Sequence, residues 1–153
     1  MRNSLKDVTI RPAERGDMNF VYSSWLSAVA TSEKRRTPKN LVYKHHRPIM
    51  ERALEESRVV VACMEDCHDQ ILGWLCHDGD IVHYLYIKQS FRGFGLATLL
   101  INEVGIPTPI TVTHWTWRLW DISKTHSLVY NPYLLAPKGE IDDFKETYPS
   151  TTT

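Results

Sequence analysis

Three absences narrow the field before any motif is considered. Cysteine is scarce: Cys63, Cys67 and Cys76 are the only three in 153 residues, too few and odd in number for a disulfide framework. Net charge is missing as well, since 18 Lys and Arg balance 18 Asp and Glu, so no global field advertises nucleic acid or an anionic membrane as partner. Long apolar runs are absent too. No stretch approaches the roughly 20 residues that span a bilayer, and Met1–Asp7 lacks the apolar segment of a signal peptide. The expectation is a folded cytoplasmic protein with no membrane contact, no nucleic-acid partner and reduced thiols.

What is present fits one core. Hydrophobic residues make up 42% and charged residues 24%, the balance of an ordinary globular domain. Residues 1–135 read as a single domain and 136–153 as a polar, mobile tail.

Val8–Pro12 alternates and stops at a proline, as a first strand does. Asp17 is placed to cap a helix whose inner face is Met18, Val21, Trp25 and Ala28. Thr31–Arg47 reads as a polar connection carrying Lys34, Arg35, Arg36, Lys39, Lys44 and Arg47, with Pro48 in the first turn of a second helix ending near Ser57. The β-branched run Arg58–Met64 suits a strand covered on both faces. Glu65–Gln70 is read as its turn and Ile71–Cys76 as its hairpin partner, with Gly73 marking a bulge or a close backbone approach.

Ile81–Ile87 forms a further strand. Leu96–Val104 follows as a helix with Gly105 as its C-cap. Pro109–His114 suits a short strand, Trp117–Lys124 two helical turns, and Leu128–Leu135 a last strand broken by Pro132. Trp115, Trp117 and Trp120 add to an aromatic-rich final third, read as packing or interface. Cys63, Cys67, His68, Cys76 and His77 lack the paired spacing of a structural zinc site, and no metal is expected.

The most informative stretch is Gln89–Ala97, Gln-Ser-Phe-Arg-Gly-Phe-Gly-Leu-Ala. A helix N-terminus offers unpaired N–H groups and the positive dipole end, so it suits phosphate oxygens. Gly93 and Gly95 let those oxygens approach, Ala97 keeps the first turn small, and Arg92 brings a forked cation. Gly-x-Gly alone is shared by several folds. The dinucleotide-binding fingerprint fails here because Thr98 stands where its third glycine or alanine belongs, and the P-loop fails for want of Gly-Lys-Ser/Thr.

From Leu85 to Leu100 the sequence resembles the cofactor motif of the GNAT superfamily of acyl-CoA N-acyltransferases. Leu85, Ile87, Arg92, Gly93, Gly95, Leu96, Ala97, Leu99 and Leu100 all fall in register, with Gln89 where the motif carries proline. The element order from Val8 to His114 is similar to that family's. The resemblance implies an α/β (α+β) GNAT fold: a mixed sheet of about six strands flanked by helices and splayed between the fourth and fifth. It also implies acetyl-CoA as cofactor, its pyrophosphate on Arg92, Gly93, Phe94, Gly95, Leu96 and Ala97, and its pantetheine amides on the backbone of Leu85 and Ile87.

The implied activity is direct acetyl transfer to an amine on an unknown acceptor, acidic or a protein if the basic segment borders its groove. Candidates for proton transfer are His83 and Asp80 on the fourth strand, with His114 a third. The family's tyrosine acid, on the helix after the fifth strand, has no counterpart in Trp117–Lys124. Tyr130 is the substitute candidate. The alternative is a catalytically silent binding or assembly module of the same fold, in a particle or regulatory complex, as in small stand-alone chains encoded by phages. A homodimer or larger assembly remains open.

Overall fold

A computed structural model of the chain describes residues 7–32, 38–114, 116 and 118–135. Six strands form one sheet in the order β1-β2-β3-β4-β5-β6. They are β1 (Val8–Pro12), β2 (Arg58–Met64), β3 (Cys67–Asp78), β4 (Ile81–Ile87), β5 (Ile110–Val112) and β6 (Leu128–Tyr130). The first four pair antiparallel, whereas β4/β5 and β5/β6 are parallel. Sequence neighbours are therefore sheet neighbours throughout, with α3 (Leu96–Val104) and α4 (Arg118–Ser123) forming the two parallel crossovers.

The helices divide between the two faces. α3 and α4 cover one with Leu96, Leu100, Leu119 and Ile122. α1 (Met18–Ser32) and α2 (Lys39–Glu56) cover the other, where Val21, Trp25, Met50 and Ala53 meet Val61, Trp74 and Tyr84 of the sheet. Val21 and Trp25, expected on the inner face of the first helix, are fully buried.

Local chemistry accounts for several boundaries. Gly95 (φ 82°) and Gly105 (φ 76°) bracket α3 in the left-handed region, which glycine enters without a Cβ penalty. A Cβ on Gly73 would lie 2.6 Å from Tyr86 O. Only glycine lets β3 and β4 approach there, beside a shift in the β2/β3 register between Ala62 and Cys63.

Four boundaries differ from the sequence reading. α2 begins at Lys39, so Lys39, Lys44 and Arg47 are helical and Pro48 lies inside the helix; residues 33–37 lie outside the described residues. Pro48 is solvent-exposed, where water can satisfy the carbonyl one turn back that its ring leaves unpaired. β3 begins at Cys67 rather than Ile71 because its polar first residues overhang the core, exposed, while still pairing with β2. Asp17 does not cap α1: its carboxylate accepts from Glu14 N–H at 2.7 Å and from Arg11 Nη1 at 2.7 Å, closing a 3₁₀ turn (Arg15–Asp17) before the helix. β6 ends at Tyr130 and the chain turns into a 3₁₀ helix over Pro132–Leu135, since proline removes a ladder donor.

Candidate functional site

The sheet opens between β4 and β5. Their pairing is confined to Ile81 with Thr111 and Val82 with Val112, closed by Thr113 N–H to Val82 O at 3.1 Å. β3, by contrast, follows β4 to its end, where Lys88 N–H donates to Leu72 O at 2.8 Å.

The cause of the opening is legible in the ladder. The β3/β4 register shifts between Cys76 and His77, leaving His83 as the extra residue on β4. That bulge reverses which residues turn their backbone toward β5. Before it, Asp80 and Val82 do so, and their carbonyls accept from Thr111 and Thr113. After it, the alternation turns Leu85 and Ile87 that way, with no β5 partner opposite among the described residues. Both side chains remain buried on the α3 face.

The glycine loop sits at the open end. After a 3₁₀ turn (Gln89–Phe91), Gly93 (φ 88°) and Gly95 (φ 82°) are both left-handed, and a Cβ on Gly93 would meet nothing within 4 Å. Arg92, Gly93, Phe94 and Gly95 are exposed, while Leu96 is buried and fixes the start of α3 in the core. Left-handed residues beside a helix start can turn successive N–H groups to one side, and the first-turn amides of α3 have no partner within the helix. Arg92 is anchored across the mouth, its Nε donating to Ile87 O at 2.8 Å. The first-turn amides of α3, an open glycine and an anchored guanidinium thus lie together at the open end of β4.

The sequence candidates for proton transfer are spread along this line. Asp80 is exposed at the start of β4, where that strand is still paired with β5. His83 is buried, its Nδ1 3.3 Å from Thr113 Oγ1, and burial lowers its pKa below the ordinary imidazole value. Tyr130 pairs with Val112 on β6, on the α3/α4 face, and is 54% exposed. Trp115 and Trp117 lie outside the described residues. Trp120 is exposed on α4.

His114 stands where β5 leaves β4, its Nδ1 2.9 Å from His83 O and its Nε2 2.9 Å from His46 Nε2. Burial, then His46, push its pKa down to about 3. Sequence reading missed His46, which lies in the segment taken for a loop. A signal existed: Val42, His46, Met50 and Ala53 recur at helical spacing, with a histidine on an otherwise apolar stripe.

No known family model matches the sequence, and no curated protein matches it at a significant level. Solved structures do match in shape. A Pyrococcus furiosus protein described as a candidate acetyl transferase is 14% identical with a TM-score of 0.51, over 95% of this chain and 94% of that one. A GCN5-related N-acetyltransferase from Rhodopseudomonas palustris is 11% identical with a TM-score of 0.51, over 96% of this chain and 84% of that one. The class is therefore settled at the level of architecture: this chain has the GNAT fold, with the mixed six-stranded sheet expected of it.

Proposed function

We propose that this chain binds acetyl-CoA and transfers its acetyl group to an amine. The observation that carries the reading is the doubly left-handed glycine turn at the start of α3, opening onto the unpaired edge of β4. Backbone N–H groups of Gly93 to Ala97, with Arg92, would hold the pyrophosphate, and the backbone of Leu85 and Ile87 would hold the pantetheine amides. Bound there, acetyl-CoA supplies an activated thioester. The chain's own part is to fix that group beside the strand opening and to exclude water from it with the sheet on one side and α3 on the other. The exposed cations Lys39, Lys44 and Arg47 of α2 favour an acidic acceptor.

A thermal-shift titration tests the binding step. Acetyl-CoA at 100 times its Kd should stabilise the wild type by about 2.7 kcal/mol. Gly95→Val should fold but lose the shift, because a β-branched residue is strained at positive φ and would crowd the loop. An identical shift in the two proteins would sink this placement.

A second reading is favoured by a specific feature, the exposed apolar group Val129, Tyr130, Tyr133 and Leu134 at the β6 end of the sheet, next to an α4 without tyrosine. On it, the fold serves as a binding or assembly module. Release of CoA thiol with a panel of amines separates the two.

A further inference from the structure

One carbonyl determines the tautomers of two rings. His83 O can only accept, so His114 Nδ1, 2.9 Å away, carries the hydrogen. Neutral His114 then has its lone pair on Nε2. His46 Nε2, 2.9 Å from that atom, must be the donor, which leaves the lone pair of His46 on its Nδ1. Thr113 Oγ1 donates to the same carbonyl at 3.2 Å and holds it in place.

The surroundings lock this arrangement. His114 meets Trp25 and Tyr84 edge-on at 5.5 and 5.3 Å, and His46 meets Trp25 edge-on at 6.4 Å. The carbonyl that anchors the chain belongs to the bulge residue at which β4 and β5 part. His46, on α2, is half-buried, so the relay runs from the strand opening outward to the face covered by α1 and α2.

We propose that His46 Nδ1 is the base that takes a proton from the acceptor amine, and that His114 is a positioning residue holding His46 in that tautomer. The assignment rests on the acetyltransferase reading above. In the step, an N–H bond of the ammonium breaks and an Nδ1–H bond forms on His46, leaving a neutral amine with its lone pair. The imidazolium keeps its Nε2–H on His114 Nε2, and His114 keeps its Nδ1–H on His83 O. His46 later gives the proton to water.

Burial lowers the pKa of both rings, so both are neutral and able to accept at pH 7. The groups that face the pair are Trp25 from α1, Tyr84 and His83 from β4, and Thr113 just after β5. On α2, Arg47 lies over Tyr22 at 5.9 Å and Glu51 accepts from Tyr22 Oη at 3.1 Å. No carboxylate is among the causes of either shift.

Nitrogen-15 NMR of the full chain reads the tautomers without turnover. In the wild type, His46 should appear protonated at Nε2 and His114 at Nδ1. His114→Phe keeps a ring but removes the acceptor, and should turn His46 into a tautomer mixture; His114→Gln, which offers both an acceptor and a donor, should restore the Nε2–H form. An Nδ1–H tautomer for His46 in the wild type, or the same His46 spectrum in wild type and His114→Phe, overturns the proposal. With acetyl-CoA and an amine that the wild type acetylates, His46→Gln should lower kcat about 100-fold and leave the KM for acetyl-CoA unchanged. Unchanged kcat overturns the assignment as well. The acetyl-CoA thermal shift keeps the two readings apart: its absence in the wild type refutes the cofactor site, whereas a wild-type shift with an uncoupled ring pair refutes the relay alone.

Discussion

On the α3/α4 side the sheet is covered by aliphatic chains, Leu75, Val82, Leu85, Ile110 and Val112 beneath Leu96, Leu100, Ile101 and Ile122. On the α1/α2 side it is covered by rings: Trp25 stacks on Tyr84 at 5.1 Å, and Trp74 on Tyr86 at 6.0 Å. The buried cluster on the aliphatic face is made of side chains without polar groups, and it seats α3 through Leu96, Leu100 and Ile101 directly after the glycine loop. The aromatic face carries indole N–H groups and imidazoles that need partners. It finds some of them, Trp74 Nε1 donating to Ser24 Oγ at 2.9 Å, while Trp25 Nε1 has no acceptor among the described residues. One face supports a site by being inert, and the other brings chemistry to it at the cost of polar groups that must be matched.

The strongest way to break this contrast is to truncate one side chain from each face. Trp25→Ala should cost about 3–5 kcal/mol and Leu100→Ala about 2–5 kcal/mol, both chains being fully buried. Urea unfolding measures both. Leu100→Ala should also weaken acetyl-CoA binding by loosening α3, whereas Trp25→Ala should leave binding intact and disturb the His46–His114 pair. If both variants bind acetyl-CoA equally, the division of labour between the faces is wrong. The next effect in size concerns the strands between the faces. Gly73→Ala should cost about 1–3 kcal/mol, because the Cβ contact at 2.6 Å is with the Tyr86 carbonyl, which cannot swing aside. A neutral result in the same unfolding experiment would mean that β3 and β4 can part there freely.

The two faces also differ in how far the sequence reveals them. The glycine loop was legible because positive φ is a demand of local chemistry that glycine alone meets at low strain, and both Gly93 and Gly95 adopt it. The ends of α3 followed from the same rule at Gly105. The mixed sheet of about six strands and its opening between the fourth and fifth came from the family resemblance, whereas the order of the strands in the sheet is seen only in the structure. The ring pair was hidden for a different reason: His46 and His114 are 68 residues apart, and no local pattern joins them. Pro48 compounded the difficulty. It reads as a helix start, yet a proline on the solvent side of a packed helix need not end one, so the chain from Lys39 to Arg47 was taken for a loop. Bulges are equally invisible. Nothing in Val82-His83-Tyr84 announces the extra residue that turns Leu85 and Ile87 toward the opening.

Ser24→Ala sharpens the contrast on a smaller scale. It strands Trp74 Nε1–H in a buried site and should cost about 1–2 kcal/mol, more than a surface serine would. Trp74→Phe in the same background should recover part of that loss by removing the orphaned donor. A double-mutant cycle in urea checks it, and strict additivity would show that the indole and hydroxyl do not interact.

The last effect is a slope. His114 has a folded pKa near 3 against an ordinary imidazole value of 6.5. The unfolded chain therefore binds a proton that the folded chain refuses throughout that interval. Stability should be at its full value above about pH 6.5 and should fall as the pH drops toward 3, by at most about 1.4 kcal/mol per pH unit for one proton. His46 and His83 are shifted in the same direction, and their burial steepens the decline. His114→Phe should flatten the slope by up to one proton whatever it does to the stability at neutral pH, so the comparison is of slopes between pH 4 and 6, measured by urea titration at each pH. An unchanged slope would mean that His114 is protonated inside the fold as readily as outside it. The aromatic face would then be wet, and a neutral relay could not be stored there.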